Sequence, residues 1–211
     1  LNFLRYCAKK NVPIILSTGM SNEKEITNAV KIIRKLSSSK LYLLHCVSLY
    51  PTPIDLLNLR YIKTLEKKYK CEIGFSDHTE GYLASCIAVV MGAKIIEKHF
   101  TINKKLPGPD HAMSLNPNEL NEFVKKIRDT EKILGKNTKT ISKDEKEMIK
   151  VARRGVISVK NIKKGSTFTN ENTSIMRPCI GIGADQIHKI IGKKSKKNIK
   201  ENTPIIYSMI K

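Results

Sequence analysis

Cys71-Glu72-Ile73-Gly74-Phe75-Ser76-Asp77-His78-Thr79 is a short apolar run that closes on polar residues. Ala93-Lys94-Ile95-Ile96-Glu97-Lys98-His99-Phe100 repeats that plan, its histidine 21 positions after the first. Gly81 to Gly92, between them, is apolar and long enough for one helix. The pattern predicts one strand-helix-strand unit of a parallel sheet. His78 and His99 then fall at the carboxyl ends of neighbouring strands, the edge where α/β barrels and open α/β sheets carry their chemistry. A lone strand-end histidine is ordinarily structural, but a matched pair, each beside an acidic residue, can hold one divalent metal.

The same texture extends outward on both sides. Pro13-Ile14-Ile15-Leu16-Ser17-Thr18 reads as a strand ending in hydroxyls, followed by Asn22 and Glu25 in capping-box spacing. Ile26, Val30, Ile33 and Leu36 mark the buried face of the helix that follows. Leu41 to Cys46 is a second strand, running into Ser48-Leu49-Tyr50-Pro51-Thr52-Pro53, whose prolines exclude helix. A helix with Leu59, Ile62, Leu65 and Tyr69 inward precedes the first histidine run. After the second, Asn116-Pro117-Asn118-Glu119 opens a helix with Leu120, Phe123, Ile127 and Leu134 as its core face. Four βα units in succession imply a parallel sheet and half of a (β/α)8 barrel, which four units cannot close.

From Arg153 the chain turns to short strands and turns. Ser158 to Phe168 matches Ser195 to Ile205 at an offset of 37, with Gly165 against Asn202, two residue types that tolerate a left-handed turn. Residues 1–135 are therefore expected to form the α/β half-barrel, 136–152 a lysine-rich linker with a turn or two of helix, and 153–211 a compact pseudo-symmetric β domain.

Of the 211 residues 40% are hydrophobic, enough for a real core, and no run of about 18 apolar residues offers a membrane span. No signal peptide is legible at Leu1-Asn2-Phe3-Leu4-Arg5, which reads like the middle of a helix and, without an initiator Met, like the start of a fragment. Cys7, Cys46, Cys71, Cys86 and Cys179 lack CxxC spacing and fit free thiols in a reducing cytoplasm; none is assigned a catalytic role. The net charge of +20 admits a polyanion-binding module, but the lysines are scattered and no stacking aromatics interleave with them, so nucleic acid is not expected as a partner. Gly181-Ile182-Gly183 is a loop rather than a dinucleotide fingerprint, and His45 and His188 are read as structural.

The strand ends gather Ser17 and Thr18, Ser48 and Tyr50, Ser76 and His78, and Glu97 and His99, followed by the loop Leu106-Pro107-Gly108-Pro109-Asp110-His111. Hydroxyls beside metal-type histidines suit a phosphorylated, carboxylated substrate. In these segments, and in Ile15 to Met20, His45 to Pro53, Gly74 to Thr79, Glu97 to Thr101 and Pro107 to His111 taken together, the chain resembles the sialic acid synthase family (N-acetylneuraminate synthase and its bacterial relatives). The tail, with Arg177-Pro178 and Gly192-Lys193, resembles that family's antifreeze-like (SAF) domain.

The resemblance implies a phosphoenolpyruvate-dependent transferase that condenses phosphoenolpyruvate with an N-acetylated hexose, typically N-acetylmannosamine, and releases phosphate. A legionaminate or pseudaminate synthase is the alternative. It implies a divalent metal, Mn²⁺ or Mg²⁺, on His78 and His99, with Glu97 completing the catalytic set. It implies phosphoenolpyruvate contacts at Ser17 and Ser76, a substrate position at Ser48 that is asparagine in some members, and sugar contacts at Tyr50 and Asp110. Arg177 matches an arginine that reaches the neighbouring subunit's sugar site in a domain-swapped homodimer. The family's barrel begins with four further βα units not found here, so the chain is expected to be the C-terminal portion of a cytoplasmic synthase, inactive alone.

Overall fold

A computed structural model describes residues 1–211, which divide into two units, Leu1–Lys136 and Asn137–Lys211. No helix is long and apolar enough to cross a membrane.

The first unit runs α1 (Asn2–Lys9), β1 (Ile14–Ser17), α2 (Glu23–Leu36), β2 (Leu41–Cys46), α3 (Tyr61–Tyr69), β3 (Glu72–Asp77), α4 (Leu83–Val90), β4 (Ile96–Lys98) and α5 (Pro117–Leu134). The strands form one parallel sheet in the order β1-β2-β3-β4, so α2, α3 and α4 are each a crossover between adjacent strands. This is the curled half-barrel that the strand pattern predicts. Both expected capping boxes form: Asn22 accepts from the Glu25 amide, and Asn116 from those of Asn118 and Glu119, with Pro117 at the first helical position.

Alternation across the strands decides which side chains meet the helices. Leu41, Leu43, Ile73 and Phe75 point one way and pack with Ile26, Val30, Ile33, Ile62, Leu65 and Tyr69 of α2 and α3. Phe123 and Ile127 of α5 pack with Leu115 and partly buried residues of α4. Two details differ from the periodicity. Leu59 precedes α3 rather than lying in it, because Asn58 adopts a left-handed conformation and the helix begins at Tyr61. Leu134, at the end of α5, is 47% exposed: the helix outlasts the layer it packs on.

The second unit contains α6 (Lys143–Ala152), capped by Ser142 and Glu145, then β5 (Gly155–Ser158) and β6 (Thr173–Met176), an antiparallel pair. α6 occupies most of the segment read as a linker. The 37-residue repeat appears in the hydrogen bonds themselves. Ile162 and Ile199 exchange amide-carbonyl bonds of 2.8 Å. The Gly165 amide donates to the Ser195 carbonyl as the Asn202 amide donates to that of Ser158, each at 2.8 Å. Lys164 donates its amide to Asn198 Oδ1 as Glu201 does to Asn161 Oδ1. Gly165 (φ 86°) and Asn202 (φ 60°) are both left-handed. Val156, Ile162, Phe168, Ile182, Ile190, Ile199 and Ile205 fill the core between the repeats.

Candidate functional site

The face of the half-barrel sheet opposite the helices carries the candidate residues. Because β3 places Ile73, Phe75 and Asp77 toward the helices, Gly74, Ser76 and His78 project to the other side; in β4 the same alternation selects Glu97 and His99. Cys46, Ser76 and Glu97 are register partners across three strands. His78 and His99 lie two residues further along, so the rings form the next layer at the carboxyl edge.

The two imidazole centroids are 5.1 Å apart with ring planes at 73°. Tyr50 closes the group, 4.2 Å from the His78 ring and 5.7 Å from the His99 ring. His78 is buried, and its Nδ1–H donates to the Val47 carbonyl at 2.9 Å, which fixes the tautomer and leaves Nε2 as the free nitrogen. His99 Nδ1 stands 3.9 Å from Asp110 Oδ2. Ser76 donates its hydroxyl to Glu97 Oε1 at 2.6 Å.

The separation of the two ring centres lies within the range expected of two imidazoles that share one cation. A metal-nitrogen bond of about 2.1 Å puts an ion about 3.2 Å from each ring centre, so two ligating rings have centres about 4.5 Å apart at a right angle and about 5.2 Å at a tetrahedral one. The observed 5.1 Å lies inside that interval. No three His, Cys, Asp or Glu side chains cluster as a ligand set, so the two imidazoles are the candidate protein ligands here.

Ser17, exposed at the end of β1, pairs in register with Leu44. Thr18 is buried and its hydroxyl is committed to the Leu44 carbonyl at 2.8 Å, so it is structural. Ser48 is half-buried and lies 3.9 Å from the Cys46 thiol. Gly19 makes that approach possible, since a Cβ on it would sit 2.3 Å from Ser48 Oγ. Arg177 belongs to the second unit, where it is exposed just after β6. His45 is held on the helix side, donating Nε2–H to the Leu57 carbonyl at 2.7 Å between the rings of Tyr61 and Phe75. Burial lowers its pKa, against the opposing effect of that bond.

Two features escaped the sequence reading. Cys46 lies 3.9 Å from His78 Nδ1, and its alternation with His45 could have placed it on that face. Asp77 and Lys98, each one residue before a histidine, form a buried ion pair on the opposite face. Burial pulls the Lys98 pKa down while Asp77 pushes it up. Charged residues in strands ordinarily read as solvated, which hid them.

Residues 1–139 match the NeuB family and residues 153–211 the SAF domain. N,N'-diacetyllegionaminic acid synthase of Campylobacter jejuni is 41% identical over 204 residues, 96% of this chain and 61% of that protein. Pseudaminic acid synthase of the same species is 38% identical over 200 residues, 94% of this chain and 58% of that protein. The crystal structure of the N-acetylneuraminic acid (sialic acid) synthetase of Leptospira borgpetersenii, in complex with citrate, superposes with a TM-score of 0.63 at 40% identity, over 70% of this chain and 52% of that one. The chain spans about three fifths of the length of the curated relatives it matches.

Proposed function

The chain belongs to the NeuB family, and on that premise we propose that it serves a synthase joining phosphoenolpyruvate to an N-acetylated aminosugar, typically N-acetylmannosamine. The products are a nine-carbon 2-keto sugar acid and inorganic phosphate. The observation that carries this reading is the convergence of His78, His99 and Tyr50 beside the Ser76–Glu97 pair at the carboxyl edge of a parallel half-barrel. The relatives named for N,N'-diacetyllegionaminic acid and for pseudaminic acid support the sugar precursors of those acids as the alternative acceptors.

His78 and His99 are the residues that would hold a divalent cation, Mn²⁺ or Mg²⁺, which when bound supplies Lewis-acid polarisation of the open-chain sugar's aldehyde. The Val47 carbonyl orients the His78 ring for that role. Ser17 and Ser76 offer hydroxyls to phosphoenolpyruvate, and Ser48 a further substrate contact. Tyr50 presents an aromatic face, and Asp110 a carboxylate that accepts hydrogen bonds from sugar hydroxyls. C3 of phosphoenolpyruvate attacks the aldehyde carbon, forming the carbon-carbon bond, and the aldehyde oxygen takes up a proton. Water adds at the C2 cation so formed and loses a proton to Glu97, which balances the one taken up by the aldehyde oxygen; the C2–O bond to phosphate then breaks, the C2 hydroxyl proton leaving with phosphate to give the ketone. Arg177 is assigned to the sugar site of a neighbouring subunit in a domain-swapped homodimer, and the synthase to the cytoplasm.

Phosphate release from phosphoenolpyruvate tests the reading. The chain is combined with a polypeptide carrying the four remaining strand-helix units of a relative. Release is expected only with an N-acetylated aminosugar present, and is expected to stop in His78→Ala. Release that ignores the sugar, or that survives the substitution, would refute the assignment.

A further inference from the structure

Each candidate metal-binding histidine is preceded by a charged residue on the helix-covered side of the sheet. Asp77 and Lys98 are direct register partners across β3 and β4. Lys98 Nζ lies 3.2 Å from Asp77 Oδ2, and the two side chains are 4% and 0% exposed. Asp77 Oδ1 accepts from the Thr79 amide at 2.8 Å and the Thr79 hydroxyl at 2.7 Å, and Oδ2 from the Ser85 hydroxyl at 2.6 Å. Lys98 Nζ also donates to the Thr79 carbonyl.

This network holds the residues on both sides of His78, the residue before His99, and the first turn of α4. It sits at the end of the strand ladder: β3 and β4 pair no further than Asp77↔Lys98, and β4 is only three residues long, so beyond it the main chain ties each histidine to a different neighbour, the His78 carbonyl accepting from the Thr52 amide and the His99 carbonyl from the Leu115 amide, each at 2.9 Å. Beyond that rung no strand pairing fixes the separation of positions 78 and 99. An ion pair is a poor device for stability alone, because apolar replacements of buried pairs are often neutral or stabilising.

We propose that the buried Asp77–Lys98 pair is a positioning element that sets, from behind the sheet, the separation and orientation of the His78 and His99 rings. This deepens the reading of those rings as a metal pair and rests on it.

The test uses the 211-residue chain with Asp77→Asn, Lys98→Met and the double substitution. Asparagine keeps an acceptor for Thr79 and a partner for Ser85, so the double variant loses mainly the tie between strands and leaves no unpaired buried charge. The single variants are expected to lower the melting temperature most, and the double variant to recover much of that loss. In metal-free protein the ring-proton resonances of His78 and His99, shifted by each other and by Tyr50, should nevertheless move in the double variant, while those of His188 stay in place. The Mn²⁺ dissociation constant should rise about tenfold or more. A folded double variant with both ring signatures unmoved would overturn the proposal. If the double variant does not fold, Lys98→Arg, which keeps the charge but changes the reach, is read by the same resonances: moved rings support positioning, unmoved rings refute it. Failure of the unsubstituted chain to bind Mn²⁺ would instead sink the metal reading, and the metal-free resonances would still decide whether the pair positions the rings.

Discussion

The Ser76 hydroxyl donates a hydrogen bond to Glu97 Oε1 across the β3–β4 ladder, 2.6 Å between direct register partners. That bond commits the serine as a donor before any substrate arrives and places an exposed carboxylate beside it. Glu97→Ala frees the hydroxyl and removes a charge that repels a phosphorylated carboxylate, an effect of about 1 kcal/mol at 4 Å in a water-like dielectric. Titration calorimetry with phosphoenolpyruvate should show tighter binding by a few-fold in Glu97→Ala and weaker binding in Ser76→Ala. The reverse order would remove phosphoenolpyruvate from Ser76.

Gly74 is needed for the close approach of the strands around it. A Cβ there would lie 2.4 Å from Leu44 Cδ2 and 2.5 Å from the Ile95 carbonyl oxygen. The backbone oxygen cannot step aside as a side chain can, so Gly74→Ala is expected to cost about 1–3 kcal/mol, the range of an overpacked core. Urea unfolding measures it; a loss too small to resolve would contradict the packing.

His45 gives the chain a pH-dependent stability. Burial holds its folded pKa below the ordinary 6.5, so as pH falls through 6.5 the unfolded chain binds a proton that the folded chain refuses. That contribution is complete above 6.5 and is lost as pH drops toward the folded pKa. Thermal melts between about pH 7.5 and 5.5 should show a steeper decline for the unsubstituted chain than for His45→Gln, whose amide can still donate to Leu57. Equal slopes would contradict the burial.

The second unit's repeat predicts unequal effects at equivalent positions. A Cβ on Gly165 meets nothing within 4 Å, so Gly165→Ala costs only the left-handed backbone penalty, about 1–2 kcal/mol. Asn202→Gly relieves the same conformation and should be neutral to slightly stabilising. Chemical unfolding of both variants checks the pair; Gly165→Ala as stable as the parent would contradict the turn.

The sequence carried the elements whose signals are local. Short apolar runs placed the strands, Asn22 and Asn116 announced their helices through capping spacing, and the Gly165/Asn202 match anticipated the paired turns. It could not reveal interactions made across strands. The Asp77–Lys98 pair depends on register between β3 and β4, which no local pattern encodes. The Cys46–His78 contact depends in the same way on β2 and β3 lying side by side. Thr18 looked like one more strand-end hydroxyl until its proton proved to be held by the Leu44 carbonyl.

We propose that His78 and His99 grip one divalent cation, and electron paramagnetic resonance of Mn²⁺ titrated into the chain measures that binding. One bound equivalent is predicted, lost in His78→Ala and in His99→Ala with the fold intact by circular dichroism. No binding by the unsubstituted chain, or undiminished binding by the variant lacking both rings, would contradict it.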